Sequence, residues 1–473
     1  MTRDAPTVAV QLSRGDGPPL AVQLATQVRG LVAAGTLTAG TRLPSTRALA
    51  AELRVSRSVV EQAYDQLVAE GWVQAKRGAG TFVTKLWAHP MDRLGSAERL
   101  VPATAARRDP ELHRHRSAPI RLDTGTPYVD ERQPESWRRA WRDVAAARMP
   151  AGYPDPAGLW ELRTQVASYV ARRRGFACSP DQVLVTNGTT HALTLLLDVL
   201  PAGAVAVEDP GYRAAAEIVR CAGRDLVDVP LDQDGIDVAA LRAVPAPVAA
   251  VYVTPAHQHP LGVTMPVNRR LVLLEEMRRR GAYVIEDDYD SEFRYDVAPM
   301  PALAGLDPER VAYLGTASKM LQPGLRIGWL VADPALIEHI AERRAARHDH
   351  PSWPVQRALV TMLREGYVDR LVRAARRVYA ERGRLVVQRL AGHGDLQASP
   401  AGMYLTVRLA PAVADAVVTE ARAAGIELSS LREYCRTASC SGIVIGYGGP
   451  TDAELAHALG VIADSLSRHQ GPT

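Results

Sequence analysis

The chain has 473 residues, too many for one ordinary hydrophobic core, so more than one domain is expected. Hydrophobic residues make up 47% and charged residues 23%, a globular balance, and no apolar run approaches the roughly 20 residues a membrane span needs. The formal net charge of +4 is unevenly spread, with a basic N-terminal stretch on a mildly acidic body, which points to a polyanion partner at one end.

The opening "MTRDAPTVAVQLSRGDG" lacks the apolar core of a signal peptide, and the expected location is the cytoplasm. Residues 10–84 read as a compact, mostly helical unit. "PLAVQLATQVRGLVAAGTL" has apolar residues at helical spacing and a glycine stop. Two helix starts follow. Ser45 is placed to cap a helix over "TRALAAEL", and Ser56 a second over "RSVVEQAYDQLVAEG". The "RVS" between them is so short that the helices must cross steeply, as in a helix-turn-helix. "WVQAKRGAGTFV" then predicts two short strands around a basic hairpin, or wing.

This chemistry suits a DNA duplex. The start of the second helix, with Ser56 and Ser58, offers donors to a phosphate, and Arg57 is placed to reach a base edge. Arg47 lies on the first turn of the preceding helix. Lys76 and Arg77 stand at the wing tip, where Gly78 and Gly80 permit close approach. The alternative is a small helical interaction module with a solvated basic rim. Through "LPSTRALAAEL", "VSRSVVEQAYDQL" and "GTFV", the stretch resembles the winged helix-turn-helix of the GntR regulator family.

Residues 85–119 are polar, Arg-rich and broken by proline, without a sustained period, and read as a linker. Residues 120–470 alternate short β-branched runs with longer amphipathic ones, which predicts an α/β domain with a largely parallel sheet. Cys178, Cys221, Cys435 and Cys440 are scattered with no C-x-x-C pair, so neither a zinc site nor a disulfide framework is expected; they read as small buried residues or free thiols.

Of the 56 Lys and Arg in the chain, only Lys76, Lys85 and Lys319 are lysines. Lys319 follows the strand-like "VAYLGTAS" and precedes a Pro-Gly turn, Arg326 and the apolar "IGWLVA". A lysine at a strand end among small residues suits imine chemistry, which arginine cannot perform. The alternative is a chance surface lysine. "VIEDDYDSEF" puts Asp287, Asp288 and Tyr289 at the C-terminal end of a buried-type strand, where open α/β sheets bind ligands. A carboxylate there can hold a pyridine nitrogen protonated, and Tyr289 can donate to a ring oxygen; a pair of capping aspartates is the alternative. "VLVTNGTTHALTLLL" runs strand, turn, helix, and its helix start at Thr189 and Thr190 suits a phosphate. In "VEDPGY", Tyr212 can stack on a flat ring.

An imine lysine, a ring-nitrogen acid, a stacking tyrosine and a phosphate cradle with Arg326 together describe a site for pyridoxal 5′-phosphate (PLP). The region resembles the fold type I aminotransferases over about 350 residues. Through "TPAHQHPLGVTMPVNRR", "IEDDYDSEFRY" and "GTASKMLQPGLRIGW" it is most similar to the MocR/GabR-like regulators, which join a GntR reader to this domain. The resemblance implies Lys319 as the Schiff-base lysine, Asp287 at the pyridine nitrogen, Tyr289 at the phenolic oxygen and Tyr212 on the ring. It implies Thr189, Thr190, Thr316, Ser318 and Arg326 around the phosphate. It also implies a homodimer in which Tyr153, of "GYPDPAGLWELR", is lent to the partner's phosphate site, and therefore an operator with paired half-sites.

Two positions depart from the pattern. His259, in "HQHPLG", stands where aminotransferases carry the asparagine of an N-P-x-G loop. Val444, in "IVIGY", stands where they carry the arginine that binds an α-carboxylate; Arg432 and Arg436 are near it in sequence. The leading expectation is a DNA-binding regulator sensing PLP, of the vitamin B6-controlling PdxR type, or a small amine effector. The rivals are an aminotransferase with catalytic turnover and a PLP-binding scaffold that has lost DNA binding.

Overall fold

A computed structural model describes residues 9–14, 18–76, 79–84, 119–129, 134–294 and 302–470. The expected linker at 85–118, and Arg77 and Gly78 of the wing, lie outside them. The chain divides into two compact units, Met1–Leu112 and His113–Thr473.

The first unit has helices Leu20–Ala33, Thr46–Leu53 and Arg57–Ala69. Strands Val73–Lys76 and Gly80–Val83 follow as an antiparallel pair with Lys76 opposite Gly80. Ser45 caps its helix as expected, accepting from the Ala48 amide at 3.2 Å. Ser56 does not: it occupies the cap position, but its hydroxyl meets that of Ser58 at 2.8 Å and accepts from no helix amide. The turn is made by Arg54, whose φ of 53° lies in the left-handed region. Leu24, Val28, Leu49, Val60 and Leu67 are fully buried and close the three-helix core. The Tyr64 hydroxyl donates to the Pro44 carbonyl at 3.0 Å and ties the third helix to the chain entering the second.

The second unit is built on an eight-stranded sheet. In spatial order its strands are Val183–Thr186, Gly328–Val331, Val311–Thr316, Tyr283–Asp288, Val248–Val253, Ala204–Asp209, Leu226–Asp232 and Gly235–Ile236. Gly328–Val331 runs antiparallel to both its neighbours, and Gly235–Ile236 to Leu226–Asp232; the remaining pairings are parallel. Alternate residues of each central strand enter two different cores. Val205, Val207, Ala250, Tyr252 and Ile285 pack with Leu193 and Leu196 of helix Thr189–Val199. Ala206, Val251, Val253 and Val284 pack with Val166 of Trp160–Arg174 and Met277 of Val267–Arg280. Helices therefore cover both faces, which is why these strands read as unbroken apolar runs. A four-stranded antiparallel sheet, ordered Asp395–Ala401, Tyr404–Arg408, Gly442–Gly446, Ser429–Ser430, completes the unit. Among the described residues, no helix is long and apolar enough to cross a membrane. The four cysteines are free thiols; Cys221 is exposed and the others half-buried.

Candidate functional site

Beyond the C-terminal ends of the parallel strands lies a cleft with about 180 Å³ of room, at the end where open α/β sheets take their ligands. Five of these strands contribute residues at or after their ends. Gly188, Thr189 and Thr190 come after Val183–Thr186, Tyr212 after Ala204–Asp209, Thr254 and His259 after Val248–Val253. Asp287 and Tyr289 come from Tyr283–Asp288, and Thr316, Ser318 and Lys319 from Val311–Thr316. Arg326 closes the cleft from the start of the reversed strand. The expected residues are thus gathered from distant stretches into one wall, with Tyr153 as the exception.

Lys319 is half-buried, and its Nζ donates to the Gly125 carbonyl at 2.6 Å. Burial lowers its pKa, against the pull of Asp123, Asp290 and Asp287. Asp123 fixes the turn that presents this carbonyl, accepting from the Gly125 and Thr126 amides at 2.7 and 2.8 Å. Asp287 is buried. Its Oδ2 accepts from the Tyr252 hydroxyl, and its Oδ1 has no hydrogen-bond partner. Burial pushes its pKa up to about 7, with Tyr252 and Lys319 opposing. Asp288, one residue on, points to the opposite face of the sheet, where it pairs with Arg174 and accepts from Tyr313 at 2.6 Å.

At the other end, Gly188 caps helix Thr189–Val199 with φ at 92°, and a Cβ on it would stand 3.3 Å from Arg326 Nη2. Arg326 adopts φ 48°, uncommon outside glycine, and donates to the Asn187 carbonyl at 2.8 Å. The Ser318 amide donates to Thr316 Oγ1 at 3.1 Å. A guanidinium, hydroxyls and helix-start amides converge here, the donor set for a phosphate.

His259 is buried edge-on to Tyr212, Tyr404 and Tyr434 at 5.9, 5.2 and 5.1 Å, and its Nδ1 has no hydrogen-bond partner. Burial drives its pKa down to about 3, so the ring is neutral. The Tyr289 hydroxyl is engaged with the His257 carbonyl at 2.9 Å and the Tyr404 hydroxyl at 2.8 Å.

Arg432 and Arg436, near Val444 in sequence, do not reach the cleft. Arg436 is held by Asp228 at 2.5 Å and by the Glu208 carbonyl. Arg432 is exposed, with Asp415 at 4.0 Å. Val444 itself is fully buried, opposite Thr406 and Ser429. Tyr153 is 76% exposed and stacked on His350 with centroids 5.0 Å apart, outside its own chain's cleft. Thr124, Gly125, Thr254 and Tyr252 belong to the site and were not anticipated. Tyr252 alone left a signal, a hydroxyl in an otherwise apolar strand.

Residues 20–83 match bacterial regulatory proteins of the gntR family, and residues 117–462 match aminotransferase class I and II. The chain is 34% identical over 461 residues to the HTH-type pyridoxine biosynthesis transcriptional regulator PdxR of Corynebacterium glutamicum, covering 97% of this chain and 98% of that one. It is 35% identical over 454 residues to the probable rhizopine catabolism regulatory protein MocR of Rhizobium meliloti, covering 93% and 92%. Among solved structures, an α-aminoadipate aminotransferase from Thermus thermophilus, complexed with N-(5′-phosphopyridoxyl)-L-leucine, superposes with a TM-score of 0.67 at 24% identity, covering 74% of this chain and 92% of that one. PLP is the cofactor of the aminotransferase class I and II domain. A GntR reader in front of that domain, matched nearly end to end by regulators of the same build, means that the chain belongs to the MocR/GabR-like transcriptional regulators of the GntR family.

Proposed function

We propose that the large unit binds PLP through Lys319 and reports its occupancy to the winged helices, so that PLP itself is the signal. The cleft fits the group. It offers an amine, a buried carboxylate oxygen without a partner, and a phosphate donor set. When bound, PLP supplies an aldehyde to an amine and a pyridine ring that draws electrons from it. Lys319 would be the amine, and Asp287 would keep a proton on the pyridine nitrogen. Tyr212 would cover the ring, and Arg326 with Thr189, Thr190, Thr316 and Ser318 would hold the phosphate. His259, neutral and short of a partner, would face the ring from the side where aminotransferases carry asparagine.

The observation that carries PLP as the signal is Val444. Lys319 and Arg326, the cations lining the cleft among the described residues, are both committed by this reading to PLP; of the arginines in the adjoining hollow, which shares Tyr212 and His259 with it, Arg213 is paired with Glu433 at 2.7 Å and Arg422 lies beyond. An α-carboxylate taken from water without a cation is costly, and by the resemblance it is Val444 that stands at the chain position of the carboxylate-binding arginine. That also counts against catalytic turnover of amino acids. Operator binding should be measured on cofactor-free, PLP-loaded and PLP-plus-amino-acid protein. PLP alone should change the affinity, and common amino acids should add nothing. If PLP loading does nothing and an α-amino acid then alters the affinity, the reading is wrong.

On the DNA side, Arg57 is paired with Glu61 at 2.7 Å. An exposed pair of this kind is worth only ~0.3–0.5 kcal/mol, little against a base contact of ~1–3 kcal/mol, so Arg57 is free to leave it. Arg57→Ala should relax sequence preference by that larger amount. Lys76→Ala should weaken all sequences alike and reduce the salt slope by about one. Ser56, Ser58, Arg47 and the wing residues Arg77 and Gly78 complete the proposed face. A base-specific loss in the Lys76 variant, or a uniform one in the Arg57 variant, would reverse the two roles.

The exposed Tyr153 fits a residue lent to a second copy, and the functional particle is then a homodimer on paired half-sites. Light scattering should give twice the chain mass; a monomer that still binds PLP tightly would refute it.

A further inference from the structure

Tyr289 has one hydroxyl proton and two oxygens already near it, the His257 carbonyl at 2.9 Å and Tyr404 Oη at 2.8 Å. Tyr404 likewise has one proton, and the Gln258 carbonyl lies 3.1 Å from its hydroxyl. Burial raises the pKa of both phenols well above the ordinary value, so both act as neutral donors. Two arrangements satisfy this chain of oxygens. In one, Tyr404 donates to Gln258 and Tyr289 donates to Tyr404 or His257. In the other, Tyr404 donates to Tyr289, whose proton is then free for a third oxygen. Donation into Tyr289 also makes it the stronger donor, because hydrogen bonds in a chain polarise one another.

Tyr404 does not line the cleft; it stands on strand Tyr404–Arg408 of the four-stranded sheet. That strand is tied to the same loop a second time, by Thr406 Oγ1 donating to the Pro260 carbonyl at 2.5 Å. The turn before it is pressed against the site as well. Gly402 has φ 64°, and a Cβ on it would come 2.5 Å from Asp290 Oδ2.

We propose that Tyr404 is a positioning residue for Tyr289, turning its hydrogen bond from the Gln258 carbonyl to the Tyr289 hydroxyl when an oxygen of the bound cofactor accepts from Tyr289. Each phenol keeps its own proton throughout; only hydrogen bonds are exchanged. Cleft occupancy thereby removes one of the two side-chain bonds that Tyr404 and Thr406 make to the loop at 258–260, and the four-stranded sheet registers it. This rests on the reading that the cleft takes PLP.

The test uses the full-length protein loaded with PLP, in wild-type form and as Tyr404→Phe, Tyr289→Phe, the double variant and Thr406→Val. PLP affinity is read by titration, together with the absorption maximum of the bound cofactor. Each single tyrosine variant should weaken PLP about tenfold and move the maximum in the same direction. The double variant should be no worse than Tyr289→Phe alone, because Tyr404 acts through Tyr289. Thr406→Val removes the neighbouring bond to the loop and should leave the maximum in place. Tyr404→Phe with wild-type affinity and absorption overturns the proposal. So does an additive loss in the double variant, or a Thr406→Val spectrum that follows Tyr404→Phe, either of which would make Tyr404 a packing residue. A wild-type protein that takes up no PLP would sink the cofactor reading and this inference with it.

Discussion

Lys319→Ala is expected to lose all covalent capture of PLP. Borohydride should fix the cofactor to the wild type and leave the variant unlabelled, and peptide mapping should place the label on Lys319. Among the described residues the Nζ is the one lysine nitrogen in the cleft, held at 2.6 Å from the Gly125 carbonyl. Burial lowers its pKa, which raises the share of neutral, nucleophilic amine. Lys319→Arg separates chemistry from charge. It keeps the cation, and with it any purely electrostatic hold on the phosphate, yet cannot form an imine, so it too should stay unlabelled. A label on Lys76 or Lys85, or retained labelling in either variant, would remove Lys319 from its role.

Asp287→Asn should stabilise the cofactor-free protein at pH 8 and weaken its hold on PLP. The folded state raises this carboxyl from 3.8 to about 7. A raised acid favours the fold at low pH, below about 4. That contribution is lost as pH climbs through the interval to about 7, because above it an ionised carboxylate is buried with Tyr252 and Lys319 offsetting only part of the desolvation. The shift corresponds to a cost on the order of 2–4 kcal/mol at pH 8, which asparagine avoids. A protonated pyridine nitrogen would supply the missing partner for Oδ1, so PLP should raise the apparent Tm of the wild type more than that of the variant. Melting curves at pH 5 and pH 8, with and without PLP, decide it. A cofactor-free variant less stable than wild type at pH 8, or equal stabilisation of both by PLP, would contradict this account.

What the sequence made legible, and what it hid, follows from the range of the interactions. Lys319 stood out because the body of the chain otherwise uses arginine, and Asp287 because its strand ends there. Both signals are local. The choice of Asp287 over Asp288 came from the resemblance, and strand alternation sends the two to opposite faces. Tyr252 showed only as a hydroxyl in an apolar strand, and Gly125 and Tyr404 did not show at all. Tyr252 reaches Asp287 from the neighbouring strand, Gly125 meets Lys319 across 194 residues, and Tyr404 meets Tyr289 across 115. No period or spacing in a sequence states which strands become neighbours. Whether Arg432 or Arg436 takes the place of the missing guanidinium was open for the same reason: closeness to Val444 along the chain does not say where a side chain goes, and Arg436 is held by Asp228 and the Glu208 carbonyl. Ser56 failed for a smaller reason: Ser58 offered its hydroxyl a nearer partner than the helix amides.

The reversed strand Gly328–Val331 has a consequence for how the site is wired. A parallel strand at that place would begin at the far edge of the sheet and would need a crossover of a dozen or more residues to reach it. Running backwards, it pairs Gly328 with Thr316 on one side and Thr186 on the other, so that its start sits at the edge where its neighbours end. Residues 317–327 therefore leave the cleft and return to it as one short hairpin connection, with Lys319 near its beginning and Arg326 near its close. The amine and the guanidinium share a single tether anchored at both ends in the sheet. Lengthening this connection by even one residue should disturb the aldehyde end and the phosphate end together, whereas the helix start at Thr189, on a separate strand, would keep its place.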